Sequence, residues 1–288
     1  ALGNLALEGS SQVSVSPLAH DVVNLCLDEA APLPVRHFAA LLVARLAELG
    51  DFAAAFVEPR VLERFAGLVR SSDMDLATPV MAGLAEIANR STIRAQLTRL
   101  RILKNVVRLM KTDQADLRVH VARFLAALSA DPDSHYGMLD GGALALVADW
   151  TVACAAPDRL LHERDLVMQL AIARLAHNWI GSHELEADLG EERLQDLLHV
   201  FITLVPKHAR HDAFYDPLCA VIADSLSMLA RRTSVHADLV KAGWALTRLL
   251  DRRDGLTAMP GKDPHSLAEE SVQTAVARVV HELMPVAA

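Results

Sequence analysis

Aromatic residues make up only 4% of this 288-residue chain, although 52% of it is hydrophobic. A core with so little Phe, Tyr and Trp has to be built largely of Leu, Ala and Val, and Leu and Ala are strong helix formers. Cysteine is nearly absent: Cys26, Cys154 and Cys219 lie far apart, are odd in number and sit in apolar segments. That pattern excludes a disulfide framework and points to buried thiols in an intracellular, reducing compartment, cytoplasmic or organellar. Long apolar runs are missing too. The least polar stretch, 143–156, is broken by Asp149 and Thr151 and falls short of the ~18–20 residues that a bilayer span requires, so no membrane crossing is expected. A basic excess is also lacking: the net charge of −8 argues against bulk nucleic-acid binding while leaving local patches open. The start shows no signal-peptide pattern.

What is present is a repeat. Ala1-Leu2-Gly3-Asn4-Leu5-Ala6 has counterparts at Leu46-Ala47-Glu48-Leu49, Leu84-Ala85-Glu86-Ile87-Ala88, Leu125-Ala126-Ala127-Leu128, Leu175-Ala176-His177-Asn178, Leu226-Ser227-Met228-Leu229-Ala230 and, more weakly, Val280-His281-Glu282-Leu283. The steps from Leu2 onward are 44, 38, 41, 50, 51 and 54 residues. Such a period in a helical sequence means stacked supersecondary units, none of which can bury its apolar face alone. The chain reads as one repeat domain over 1–288 that begins in mid-repeat, with its natural sequence expected to continue upstream.

Each period divides into three helices. A long helix ends in the Leu-containing signature, and a break follows, as at Gly50-Asp51, Asn89-Arg90-Ser91, Asp131-Pro132-Asp133, Gly181-Ser182 and Arg232-Thr233-Ser234. These are helix-stop residues followed by N-cap residues. Short helices are predicted over 51–57, 91–97, 133–139, 182–188 and 234–240. Amphipathic second helices follow over 60–70, 100–111, 143–153, 191–205 and 244–252, with apolar residues at helical spacing such as Ile102, Val106, Leu109 and Met110. Thr78-Pro79 and Asp216-Pro217 are expected to place proline at the first position of a long helix. Residues 253–265, rich in Gly, Pro and charge, read as a flexible connection before the last helix.

Leu139-Asp140-Gly141-Gly142-Ala143-Leu144-Ala145-Leu146-Val147 and Val240-Lys241-Ala242-Gly243-Trp244-Ala245-Leu246 look like the opening of an armadillo second helix, and Ala1 to Ala6 look like the Ala-x-x-Leu-x-Asn-Leu-Ala ending of a third. On these motifs the chain resembles the armadillo repeat family over nearly its whole length, with HEAT-like character left open for the C-terminal third. The resemblance implies an all-α, right-handed α-solenoid of about six three-helix repeats. It also implies that third helices line a concave groove where Asn side chains hold a partner's extended backbone.

Only Asn4 stands at that Asn position; its equivalents are Glu48, Glu86, Ala127, His177 and Met228. The tryptophan that importin-alpha relatives carry four residues earlier is replaced by Ala44, Ala82, Arg123, Ala173 and Asp224. Without that ladder, recognition of nuclear localisation peptides is unsupported. The candidate groove contacts are Asn4, Glu48, Glu86, Arg123, His177 and Asp224, with Glu48 and Glu86 expected to lie on neighbouring helices where few other charges compete.

Charge is unevenly distributed. Between Arg90 and Arg123 there are nine Lys or Arg and only two Asp. Arg101, Lys104, Arg108 and Lys111 fall at spacings of three and four on one face of a second helix, expected to point outward. This stripe reads either as a docking strip for an acidic segment or phosphate-bearing polymer, or as a solvated outer face. The acidic run Glu184, Glu186, Asp188, Glu191, Glu192 and Asp196 sits at the start of a later repeat, where acidic residues suit helix N-termini electrostatically.

Chemistry is poorly represented. His208 and His211, followed by Asp212, lack a third ligand at metal-site spacing. The stretch from Gly255 to Lys262 resembles a phosphate-binding loop but is one residue too long, with Asp263 where Ser or Thr should hold magnesium. No hydrolase, dinucleotide or cysteine-nucleophile signature occurs. No catalytic residue, cofactor or metal is assigned. The mean hydropathy of +0.24, high for an elongated solenoid, implies that partners cover part of the apolar surface. The expected function is a non-catalytic scaffold, a subunit of a multiprotein assembly whose partners are other protein subunits. One alternative is an adaptor binding an extended peptide in the groove, such as a basic segment, with an acidic one on the stripe. Another, RNA binding, would need regularly spaced base-reading side chains that the sequence lacks.

Overall fold

The structure is a computed structural model and describes residues 15–47, 56, 58–70, 73–154, 163–185, 188–205, 215–243 and 267–283. Among them there are helices and no strand. The chain divides into two compact units, 1–142 and 143–288. The flexible connection expected over 253–265 lies outside the described residues, as do the predicted helices over 51–57 and 244–252 apart from Phe56.

In the first unit, α1 (Val15–Leu27) packs on α2 (Leu33–Ala47) and on α3 (Pro59–Gly67). The next period holds α4 (Met74–Ile87), α5 (Ser91–Arg99) and α6 (Leu103–Leu109), followed by α7 (Ala115–Leu128) and α8 (His135–Asp140). The long helices stack in sequence order, α2 against α4 and α4 against α7. Their signature leucines fill the junctions: Leu84 and Leu125 are fully buried and Leu46 nearly so. At Gly83 the stack closes tightly. A Cβ there would lie 3.3 Å from the Phe65 ring and 3.5 Å from the Cα of Ala44, so the missing side chain sets the approach of α4 to α2.

The second unit contains α9 (Ala143–Cys154), α10 (Glu163–Ile180), α11 (Glu191–Leu204), α12 (Tyr215–Leu229), α13 (His236–Lys241) and α14 (Leu267–Leu283). Here α10 packs on α12 and α12 on α14, with α11 against α9, α10 and α12. Leu175 and Leu226 are buried. In the last period the register is one residue earlier than the sequence indicated: Val279 and Val276 are buried, whereas Val280 is 47% exposed.

Three local expectations are corrected. Pro79 does not open a helix but lies inside α4, because Asp73 caps that helix earlier, accepting from the amides of Asp75 at 3.0 Å and Leu76 at 3.3 Å. Pro217 is the third residue of α12, still within the turn whose amides have no helical acceptor. No helix forms over 182–185: the chain turns there and uses Leu185 and Leu189 as buried anchors. Of the thiols, Cys26 and Cys219 are buried but Cys154 is only half-buried. Burial pushes the Cys26 thiol up to about 12, which leaves it without nucleophilic character at neutral pH.

The turns into α6 and α9 share one backbone conformation although their residues differ. Gly142, before α9, has φ +79°. Arg101, 41 residues earlier and before α6, occupies the corresponding site with φ +52°. A left-handed conformation costs a non-glycine residue about 1 kcal/mol.

Candidate functional site

The resemblance places the groove on the stacked long helices. Asn4 and Glu48 lie outside the described residues. The other four groove candidates are brought together in pairs, one pair in each unit.

In the first unit Arg123 donates from Nη2 to Oε1 of Glu86. Glu86 stands two residues after the signature leucine of α4, and Arg123 two residues before that of α7. Stacking sets these positions diagonally opposite. Glu86 therefore does not lie on a face free of competing charge, as its spacing alone had implied; the next helix supplies its counterion. In the second unit the same two positions hold His177 on α10 and Asp224 on α12, with Nε2 3.8 Å from Oδ2. His177 Nδ1 lies 3.0 Å from Ser225 Oγ, which itself donates to the carbonyl of Val221. Ser225 thus accepts, Nδ1 carries the imidazole proton, and the bare Nε2 becomes an ion-pair partner of Asp224 only on protonation.

Burial holds the pKa of His177 below its ordinary value, with Asp224 pulling the other way. His120 on α7 is lowered as well, first by burial and then by Arg123, against Asp116 and Glu86. A histidine whose folded pKa is depressed binds fewer protons in the native state than in the unfolded one, so stability falls as pH drops through the ordinary histidine range. The unfolding free energy should therefore decline between about pH 8 and about pH 5. Replacing both residues with Gln should flatten that slope in urea titrations, and an unchanged slope would show that these imidazoles are not responsible.

Arg101, Lys104, Arg108 and Lys111 are all exposed, as is Arg99 beside them. The helix is shorter than predicted. Arg101 lies in the left-handed turn before α6, and Lys111 just past its end, its amide bonded to the Arg108 carbonyl at 3.3 Å. None of these five side chains has a hydrogen bond or ion pair with a described residue. In the acidic run Glu191 and Glu192 occupy the first turn of α11, where carboxylates complement the helix dipole.

Sequence inspection missed a pair of structural histidines. His135 Nε2 donates to the carbonyl of Ser129 at 2.6 Å, and His236 Nε2 to that of Ala230 at 2.6 Å. Each closes orphan carbonyls at the end of a long helix. Both stand ten residues after a signature leucine, and that shared offset was the available signal. Chemistry remains sparse: the described residues contain no group of three His, Cys, Asp or Glu able to hold a metal, and His208, His211 and the stretch from 255 to 262 lie outside them. No single helix among the described residues is long and apolar enough to cross a membrane.

No family model matches the sequence, and no curated protein matches it. Solved structures do match. A computationally designed armadillo repeat protein for modular peptide recognition superposes with a TM-score of 0.65 at 14% identity, covering 90% of this chain and 98% of its own. A second designed armadillo repeat protein gives 0.64 at 16% identity over 91% and 98%. A third, in complex with a peptide of four Lys-Arg repeats, gives 0.61 at 13% identity over 91% and 98%. With helices stacked at these junctions and neighbours of this kind, the chain has an armadillo-like helical-repeat fold.

Proposed function

We propose that the chain is a non-catalytic protein–protein interaction scaffold that serves as a structural subunit of a larger assembly. The observation that carries this reading is the apolar face of α2. Phe38 is 70% exposed and Leu41 41% exposed, whereas Leu76 and Pro79, which occupy the corresponding positions of α4, are buried against the stack. A contiguous apolar helix face left to solvent marks an interaction surface. Leu33 and Val35 of the same helix, 44% and 39% exposed, extend it.

Purification of the tagged chain from its native cells tests this directly. One or a few stoichiometric proteins should accompany it, and Phe38→Asp with Leu41→Asp should release them without changing helix content, since both side chains already face water. Absence of any stoichiometric companion would overturn the reading, and so would retention of the companions by that variant.

A second reading, an adaptor for an extended basic peptide in the groove, is favoured by the designed neighbour that holds a Lys-Arg peptide. It meets an obstacle in Arg123, which already satisfies Glu86. Under this reading Arg123→Ala would free the carboxylate and strengthen capture of such a peptide.

A further inference from the structure

We propose that the end of α5, the turn before α6, α6 itself and the two residues after it form a docking site for an acidic polypeptide segment, held by Arg99, Arg101, Lys104, Arg108 and Lys111. Its residues lie on elements other than those that carry the groove candidates and the apolar face of α2. Two local penalties coincide there. Lys104 and Arg108 stand four residues apart on α6, where like charges repel, with Lys111 just beyond, and among the described residues no acidic side chain is hydrogen-bonded or ion-paired to any of the five. Arg101 holds a left-handed backbone conformation at a site that the next repeat fills with Gly142. Glycine would relieve that strain, and the sequence nonetheless places a cation there, extending the stripe around the corner of the helix. Strain and unneutralised charge at one place, uncompensated within the fold, mark a surface shaped for a ligand.

The dimensions fit a peptide. At about 1.5 Å per helical residue, α6 itself spans roughly 10 Å, the length of about three residues of extended chain, and Arg101 and Lys111 lie beyond its two ends. Acidic side chains spaced along such a segment can each meet a cation. A nucleic acid is less well served: five cations neutralise few phosphates, and the chain's net charge of −8 repels a polyanion at longer range.

The test is fluorescence anisotropy with a labelled eight-residue Glu/Asp-rich peptide, alongside a single-stranded RNA oligonucleotide of equal charge. The peptide should bind at low ionic strength and be released by salt. Lys104→Glu with Arg108→Glu should weaken it about tenfold, as expected for reversing two exposed pairs. Arg101→Gly should raise the melting temperature while weakening the peptide severalfold, a trade-off that a merely solvated stripe would not show. Loss of neither affinity nor salt dependence in these variants would overturn the proposal. Tighter binding of the RNA would overturn it in favour of a nucleic-acid site. Salt-sensitive self-association abolished by the same variants would overturn it in favour of a second copy of the chain.

Discussion

Leu84→Asp is expected to unfold the first unit at temperatures the parent protein withstands. The leucine is completely buried between stacked long helices. Its replacement removes apolar contacts and places an unpaired carboxylate where no cation can reach it, a loss of about 5 kcal/mol. That is comparable to the whole stability of many domains. Because each long helix is packed by its neighbours, the damage should not stop at α4. Hydrogen exchange should show the amides of α2, α4 and α7 losing protection together. A variant melting within a degree or two of the parent would mean that the repeat register assigned to this leucine is wrong.

Trp179→Ala should be the most damaging truncation in the second unit. Trp179 lies in α10 and is fully buried, so cutting it to alanine leaves a large cavity and should lower stability by about 3–5 kcal/mol. Trp179→Phe discriminates between packing and polarity. The indole Nε1 is buried with no hydrogen-bond partner among the described residues, so phenylalanine removes an unsatisfied donor while retaining most of the apolar volume. Its loss should be about 1 kcal/mol or less. Urea denaturation followed by far-UV circular dichroism measures both. Equal losses for Phe and Ala would show that the indole N–H is satisfied in solution.

The architecture was legible because the helical signal is redundant. Leu84, Leu125, Leu175 and Leu226 recur at a period near that of one repeat, and each turned out buried. Where a single residue carried the inference, the sequence was less informative. The weak last signature begins at Val280, where no leucine fixes the register, whereas Val279 is the buried residue; and the sequence places Pro79 at a helix start although Asp73 supplies the cap earlier. The groove candidates were found by position alone. Their pairing was not, because Glu86 and Arg123 are 37 residues apart and only the stacking of two separate helices makes them adjacent. His135 and His236 escaped notice for a related reason: an isolated histidine at a helix start has many roles, and only the carbonyl it meets distinguishes them.

The two cross-helix pairs run in opposite electrical senses. In the first unit the acid is on the earlier helix and the base on the later; in the second, His177 precedes Asp224. Helices built from one repeating pattern could exchange places during folding, since their leucines are interchangeable. Exchange here would set Glu86 against Asp224, two carboxylates that repel, and would leave Arg123 facing the neutral His177 with no carboxylate. The Glu86–Arg123 pair thus favours the native neighbour of α4 over a helix that would bring a second carboxylate to the same place.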